Sequence, residues 1–144
     1  MGQRLIIIRG IPGSGKSTYA KKIKHDLFES GNSVTHFEAD MFFMKDGKYN
    51  WNQKLAPIAH KWCYNSVFKS FDNGTNVVIV SNTFVKLGDM NNYIKEAESR
   101  NIDVTVYRME NRFKSVHEVP EETLNKMSES FQDYDNETIV KEGQ

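Results

Sequence analysis

The chain has 144 residues, enough for one domain with a real apolar core, and its 19 basic and 19 acidic side chains cancel, which excludes a generically basic nucleic-acid coat and confines any nucleic-acid contact to a local patch. The single cysteine, Cys63, excludes an internal disulfide and a cysteine metal cluster and, set among apolar residues, is expected to be a buried small hydrophobe. No charged-then-apolar leader and no apolar run of membrane-span length occur, so a soluble, cytoplasmic protein is expected.

The predicted elements alternate between strand and helix. Leu5, Ile6, Ile7 and Ile8, within residues 4–9, form a continuous apolar run, as a buried parallel strand should. Gly10-Ile11-Pro12-Gly13-Ser14-Gly15-Lys16-Ser17 follows and fits G-x-x-x-x-G-K-[ST], the P-loop or Walker A pattern. From Thr18 to about Ser30, residues Tyr19, Ala20, Ile23 and Leu27 recur at helical spacing, and Gly31 is the usual residue past a helix end. Residues 34–38 read as a second strand that delivers Ala39 and Asp40. A turn at 45–48 precedes a long amphipathic helix. Its stripe is Ile58, Ala59, Trp62, Cys63, Val67, Phe68 and Phe71, with Pro57 near its start. Residues 77–80 are a third apolar strand, ending in Ser81, Asn82 and Thr83. A helix over 88–99 and a strand over 104–107 come next. Residues 108–119 are polar, basic and poorly periodic. Pro120, Glu121 and Glu122 open a last helix with Leu124, Met127 and Phe131 on its apolar side. The polar tail over about 136–144 is expected to be mobile.

This alternation predicts a single doubly wound α/β domain over 1–144. In such sheets ligands bind beyond the carboxyl ends of the strands. That rule selects residues 10–18, Asp40, and Ser81 with Asn82 and Thr83.

The chemistry follows from these groups. The glycines let the backbone curl so that N–H groups converge on one anion, and the helix start adds its free donors. Gly10, Pro12, Gly13, Ser14, Gly15, Lys16, Ser17 and Thr18 are therefore the candidate ATP-binding residues. Lys16 is placed for the β- and γ-phosphates and Ser17 for Mg²⁺. A phosphoryl acceptor needs a nearby carboxylate, and Asp40 is the candidate base, with a helix or turn cap as its bland alternative. Asp40 is also a candidate metal ligand, because the third strand ends without an acid. Glu38 is expected to be a solvated strand residue rather than a helper. Asn82 and Thr83 are candidates for the acceptor side, with the water shell of Mg²⁺ as a second role for Asn82, against an ordinary turn. Arg112 and Lys114, above Arg108 and His117, are candidate cations of a basic lid at about 108–120 that closes over ATP. Trp62 is expected in the core, while Tyr49 and Trp51 are left open between surface and base stacking. No guanine-reading Asn-Lys-x-Asp occurs, which argues against a GTPase switch.

These pieces resemble the small P-loop kinases typified by the kinase half of phage polynucleotide 5′-kinase, and most of all the short ATP-binding domains of the Nedd-binding proteins. The likeness runs through residues 9–18, 39–43, 46–49, 59–62, 81–83 and 117–120, with Met127 beyond. It implies a kinase-type three-layer sandwich with a short parallel sheet and a small lid. It implies Asp40 as general base, Lys16 and Ser17 on ATP and Mg²⁺, and a lid cation near Arg112 or Lys114. It departs at Phe43, where polynucleotide kinases carry an arginine, and in a shorter, less basic lid. The expected function is an ATP-dependent kinase acting on a nucleic-acid 5′-hydroxyl. The alternatives are a nucleoside, nucleotide or other small-metabolite acceptor, or a nucleotide-binding module without transfer.

Overall fold

The computed structural model describes residues 2–45, 47–113 and 119–141. In chain order the elements are β1 (Arg4–Arg9), α1 (Lys16–Glu29), β2 (Val34–Phe37), the hairpin strands β3 (Met44–Lys45) and β4 (Lys48–Tyr49), α2 (Ala56–Asp72), β5 (Val77–Asn82), α3 (Leu87–Ser99), β6 (Asp103–Met109), α4 (Glu121–Ser130) and β7 (Glu137–Val140). Short 3-10 turns occupy Ala39–Phe43 and Gln53–Leu55.

Five strands form one parallel sheet in the order β2-β5-β1-β6-β7. The central strand β1 is buried on both faces, which is why its sequence is a run rather than an alternation. Its side chains divide by the strand period of two. Leu5 and Ile7 join Val78, Val80 and Val106 under α2 and α3, which contribute Ala59, Cys63, Val67, Phe68, Met90 and Tyr93. Ile6 and Ile8 join Ile79 and Met109 on the opposite face, under Ala20 of α1. A fully buried side chain of this kind contributes about 1.5–3 kcal/mol. Trp62 packs edge-on to Phe37 on the first face, and Cys63 is buried, as expected.

Two expectations are corrected. Within the tail expected over 136–144, Glu137–Val140 adds a parallel strand to β6, from Val106↔Glu137 to Met109↔Val140, while residues 142–144 lie outside the described residues. The physical reason is that Glu137 is not solvated: its carboxylate is the partner of two arginines. The basic segment also begins later than expected, since Arg108 and Met109 belong to β6. Lys114 and His117 lie outside the described residues. Among the described residues no helix is long and apolar enough to cross a membrane.

The strand ends that matter are stitched together. Gly10 N donates to Thr83 O at 3.2 Å, and Ala39 N donates to Asn82 Oδ1 at 2.9 Å. The loop after β1, the turn after β2 and the end of β5 therefore meet at one edge.

Candidate nucleotide-binding site

The loop after β1 curls because Gly13 and Gly15 take φ of 80° and 95°, a region that side chains enter only with strain. Gly10 is needed for space instead: a Cβ there would lie 2.4 Å from Ser14 Oγ and 3.0 Å from Met109 O. Ser14 is fully buried, and its Oγ has no hydrogen-bond partner among the described residues. α1 begins at Lys16 without a side-chain cap bond, so its first N–H groups are left for an anion. An orphaned hydroxyl, uncapped donors and a loop with no room for side chains together fit a triphosphate.

Lys16 Nζ donates to Ile11 O at 3.0 Å. Burial pushes its amine down to about 8, although the nearby carboxylates of Glu38 and Asp40 pull the other way. A desolvated ammonium of this kind is improved by an incoming phosphate.

Glu38 overturns its expected role. Its Oε2 accepts from Ser17 Oγ and from Ser81 Oγ, each at 2.6 Å, and its side chain is 19% exposed. His36 Nε2 lies 2.7 Å from Ser81 Oγ. Since that hydroxyl gives its proton to Glu38, the imidazole donates to it, and burial lowers the His36 pKa toward this neutral form. The cause is tertiary. Parallel pairing of β2 with β5 carries the extended Glu38 alongside Ser81, while α1 supplies Ser17. The sequence signal was the Glu-x-Asp spacing at a strand end, opposite a P-loop serine.

Asp40 lies in the first turn of the 3-10 segment, whose cap position is held by Glu38. Its Oδ1 accepts from Tyr49 Oη at 3.2 Å. Burial first, and Asp40 second, push the Tyr49 phenol up to about 12, so it remains a donor. Asn82 is buried, and its amide is used on both sides, by Ala39 N and by Cys63 Sγ at 3.7 Å. It thus anchors the turn that carries Asp40. Thr83 lines a cavity of about 890 Å³ between α2 and α3, along with His60, Lys61, Tyr64 and Phe84.

Beyond β6, the chain crosses the loop. Phe113 N donates to Gly13 O at 2.6 Å, and a Cβ on Gly15 would meet the Phe113 ring at 3.1 Å. Sequence reasoning passed over Phe113. Arg112 is exposed and faces Glu121 at 3.7 Å. Arg108, weighed as a lid cation, is instead held by Glu137 and Asp133 at the sheet edge.

Ser17 Oγ and the carboxylates of Glu38 and Asp40 are hard oxygen donors of the kind Mg²⁺ takes beside substrate phosphates. Among the described residues no group of three His, Cys, Asp or Glu could hold a metal by itself.

A family model described as "Chromatin associated protein KTI12" matches residues 4–141. Human NEDD4-binding protein 2 is 25% identical over 149 residues, covering 97% of this chain but only 8% of that protein's length. The APS kinase CysC of Mycobacterium tuberculosis, solved in complex with AMPPNP and APS, has a TM-score of 0.69 at 13% identity, over 99% of this chain and 90% of that one. Kti12 of Chaetomium thermophilum, solved in complex with ADP-AlF3, has a TM-score of 0.67 at 14% identity, over 96% of this chain and 89% of that one. At such identities the structures speak for the fold, the kinase-type α/β sandwich. The likeness to small P-loop kinases holds at that level, the expected likeness to the Nedd-binding proteins is met by NEDD4-binding protein 2, and the matching family model is that of KTI12, which does not extend the likeness to phage polynucleotide 5′-kinase.

Proposed function

The chain belongs to the family described as chromatin associated protein KTI12, and on that premise we propose that it binds ATP with Mg²⁺ on residues 10–18 and transfers the γ-phosphoryl group to a hydroxyl presented to Asp40. The observation that carries this reading is the convergence of Lys16, Ser17, Glu38 and Asp40 on one corner.

In this reading the backbone of the loop cradles the phosphates, and Lys16 bridges the β- and γ-groups. Ser17 and Glu38, with Asp40, would hold the cation. Mg²⁺, when bound, neutralises charge on the β- and γ-phosphates. Asp40 takes the proton of the acceptor hydroxyl as its oxygen bonds to the γ-phosphorus. The bond from that phosphorus to the β,γ-bridging oxygen breaks, and ADP leaves. Tyr49 orients the Asp40 carboxylate. Arg112 and Lys114 are proposed to stabilise charge on the group in transit. Asn82 acts through the turn that it anchors, and Thr83 borders the space for the acceptor. A nucleic-acid 5′-hydroxyl is the leading acceptor, and a nucleoside, nucleotide or other small metabolite is the alternative.

One observation favours a second reading, a nucleotide-binding module without transfer: β5 ends in Ser81 and Asn82, followed by Thr83, with no acid among them. Radiolabel transfer from γ-labelled ATP decides. The substrates are 5′-hydroxyl oligonucleotides and a panel of nucleosides, with wild type and Asp40→Asn compared. The expected result is transfer by wild type and a loss of about 10²–10⁴-fold in the variant, the usual contribution of a general base. ATP binding without transfer by wild type would favour the module.

A further inference from the structure

Arg9 ends β1, immediately before Gly10, and it is fully buried on the face of Leu5 and Ile7. A buried guanidinium needs partners, and here they come from segments remote in sequence. Arg9 Nε and Nη2 donate to Phe84 O at 3.1 and 2.7 Å, and Nη1 donates to Glu137 Oε1 at 2.7 Å. The Phe131 ring centre lies 4.2 Å from Arg9 Cζ and 4.6 Å from Arg108 Cζ. Arg108, the register partner of Arg9 on β6, donates to Glu137 Oε2 at 3.2 Å. One ring and one carboxylate of the C-terminal segment thus serve both arginines.

The same segment grips the loop after β5. Gln132 N donates to Val85 O at 2.9 Å, and Leu87 N donates to Gln132 Oε1 at 2.7 Å. That loop carries strain, because buried Phe84 has φ of 46°, a value a bulky residue holds only when its surroundings impose it. The two bonds from Arg9 to the Phe84 carbonyl are part of that imposition. Thr83 O, one residue earlier, receives Gly10 N at 3.2 Å.

We propose that residues 131–140 are a working part of the nucleotide site: through Arg9 they hold Gly10 and the strained corner at 83–84 in one arrangement, so that docking of β7 and binding of a nucleoside triphosphate favour each other. Arg9 and Glu137 are positioning residues; neither belongs to the phosphate cradle. A buried ion pair adds little net stability compared with apolar packing, but the rigid fork of an arginine fixes the groups it bonds in direction. Coupling between two sites is reciprocal, so each must report on the other.

The inference rests on the nucleotide-binding reading, and the experiment separates the two. The full chain and its Glu137→Gln variant, which keeps the shape and an acceptor oxygen, are titrated with AMPPNP and Mg²⁺ by calorimetry. Amide exchange at 138–140 is followed with and without the nucleotide. We expect nucleotide to slow that exchange in wild type, and the folded variant to bind about five- to tenfold more weakly, within the usual range of coupling. A structural role alone would lower the melting temperature, leave the affinity within about twofold, and leave exchange at 138–140 indifferent to nucleotide; that result overturns the proposal. Should Glu137→Gln not fold, exchange in the wild type decides by the same criterion. Wild type that binds no AMPPNP would overturn the nucleotide reading itself, and this inference with it.

Discussion

The loop at residues 10–18 and the corner that faces it are made of different materials. The loop is contiguous, and it works with backbone: glycines at positive φ, uncapped helix donors and one buried hydroxyl. The corner is built of side chains from separate strand ends, with Glu38 and Asp40 after β2 and Ser81 and Asn82 from β5. Damage to the loop should therefore appear in nucleotide affinity. Damage to the corner should appear in metal dependence and in transfer. A backbone cradle binds any triphosphate, whereas the side-chain wall decides what is done with it.

That contrast is sharpened first by the Asp40→Asn comparison, where a loss of about 10²–10⁴-fold in transfer should far exceed the loss of Mg²⁺-dependent ATP affinity that follows from its share in holding the cation. Lys16→Ala is its mirror. Losing a charge-assisted contact should weaken ATP binding by about 2–3 kcal/mol, measured by calorimetry. Unchanged affinity in a folded variant would remove the loop from phosphate binding. Glu38→Gln is smaller and more selective. The amide oxygen still accepts from Ser17 and Ser81, so the corner should stay folded while losing its charge toward a cation. ATP affinity should fall about tenfold with Mg²⁺ present, the size of one lost charge-assisted hydrogen bond, and hardly change in its absence. Equal losses in both conditions would make Glu38 a structural acid and blur the contrast.

The smallest effect is a pH dependence. Lys16 titrates at about 8 in the unliganded protein, lowered by burial. A bound triphosphate raises that value by adding negative charge. Below pH 8 both states hold the proton, so this group leaves affinity flat. Above pH 8 the free protein has lost a proton that the complex keeps. Affinity should then fall by up to about tenfold per pH unit, until the pKa of the complex is passed. Calorimetry at pH 7, 8.5 and 9.5 measures this, and Lys16→Ala should abolish the slope.

Much of the fold was legible because it is written locally. The apolar runs at 5–8 and 77–80 read directly as buried strands, and β1 has the expected bounds. The loop was legible because a phosphate cradle needs its glycines, lysine and serine side by side. Glu38 was misjudged because strand alternation does not say what lies opposite, and its partner Ser81 is 43 residues away. β7 was missed because its short Thr138-Ile139-Val140 run is enclosed by polar residues on both sides. It forms since Arg9 and Arg108 offer Glu137 a charged, partly buried place at the open edge of β6.

By itself, then, the amino-acid sequence determined the strand–loop–helix unit, the alternating architecture and the presence of an acid at the end of β2, because periodicity and spacing act through the backbone nearest in the chain. Only the tertiary structure decided that Glu38 faces Ser17, that Asn82 anchors the turn of Asp40, and that the C-terminal residues close on Arg9. Those outcomes depend on side chains meeting across strand ends, and the desolvation of a buried charge or hydroxyl is settled only by the partner that parallel pairing brings within reach.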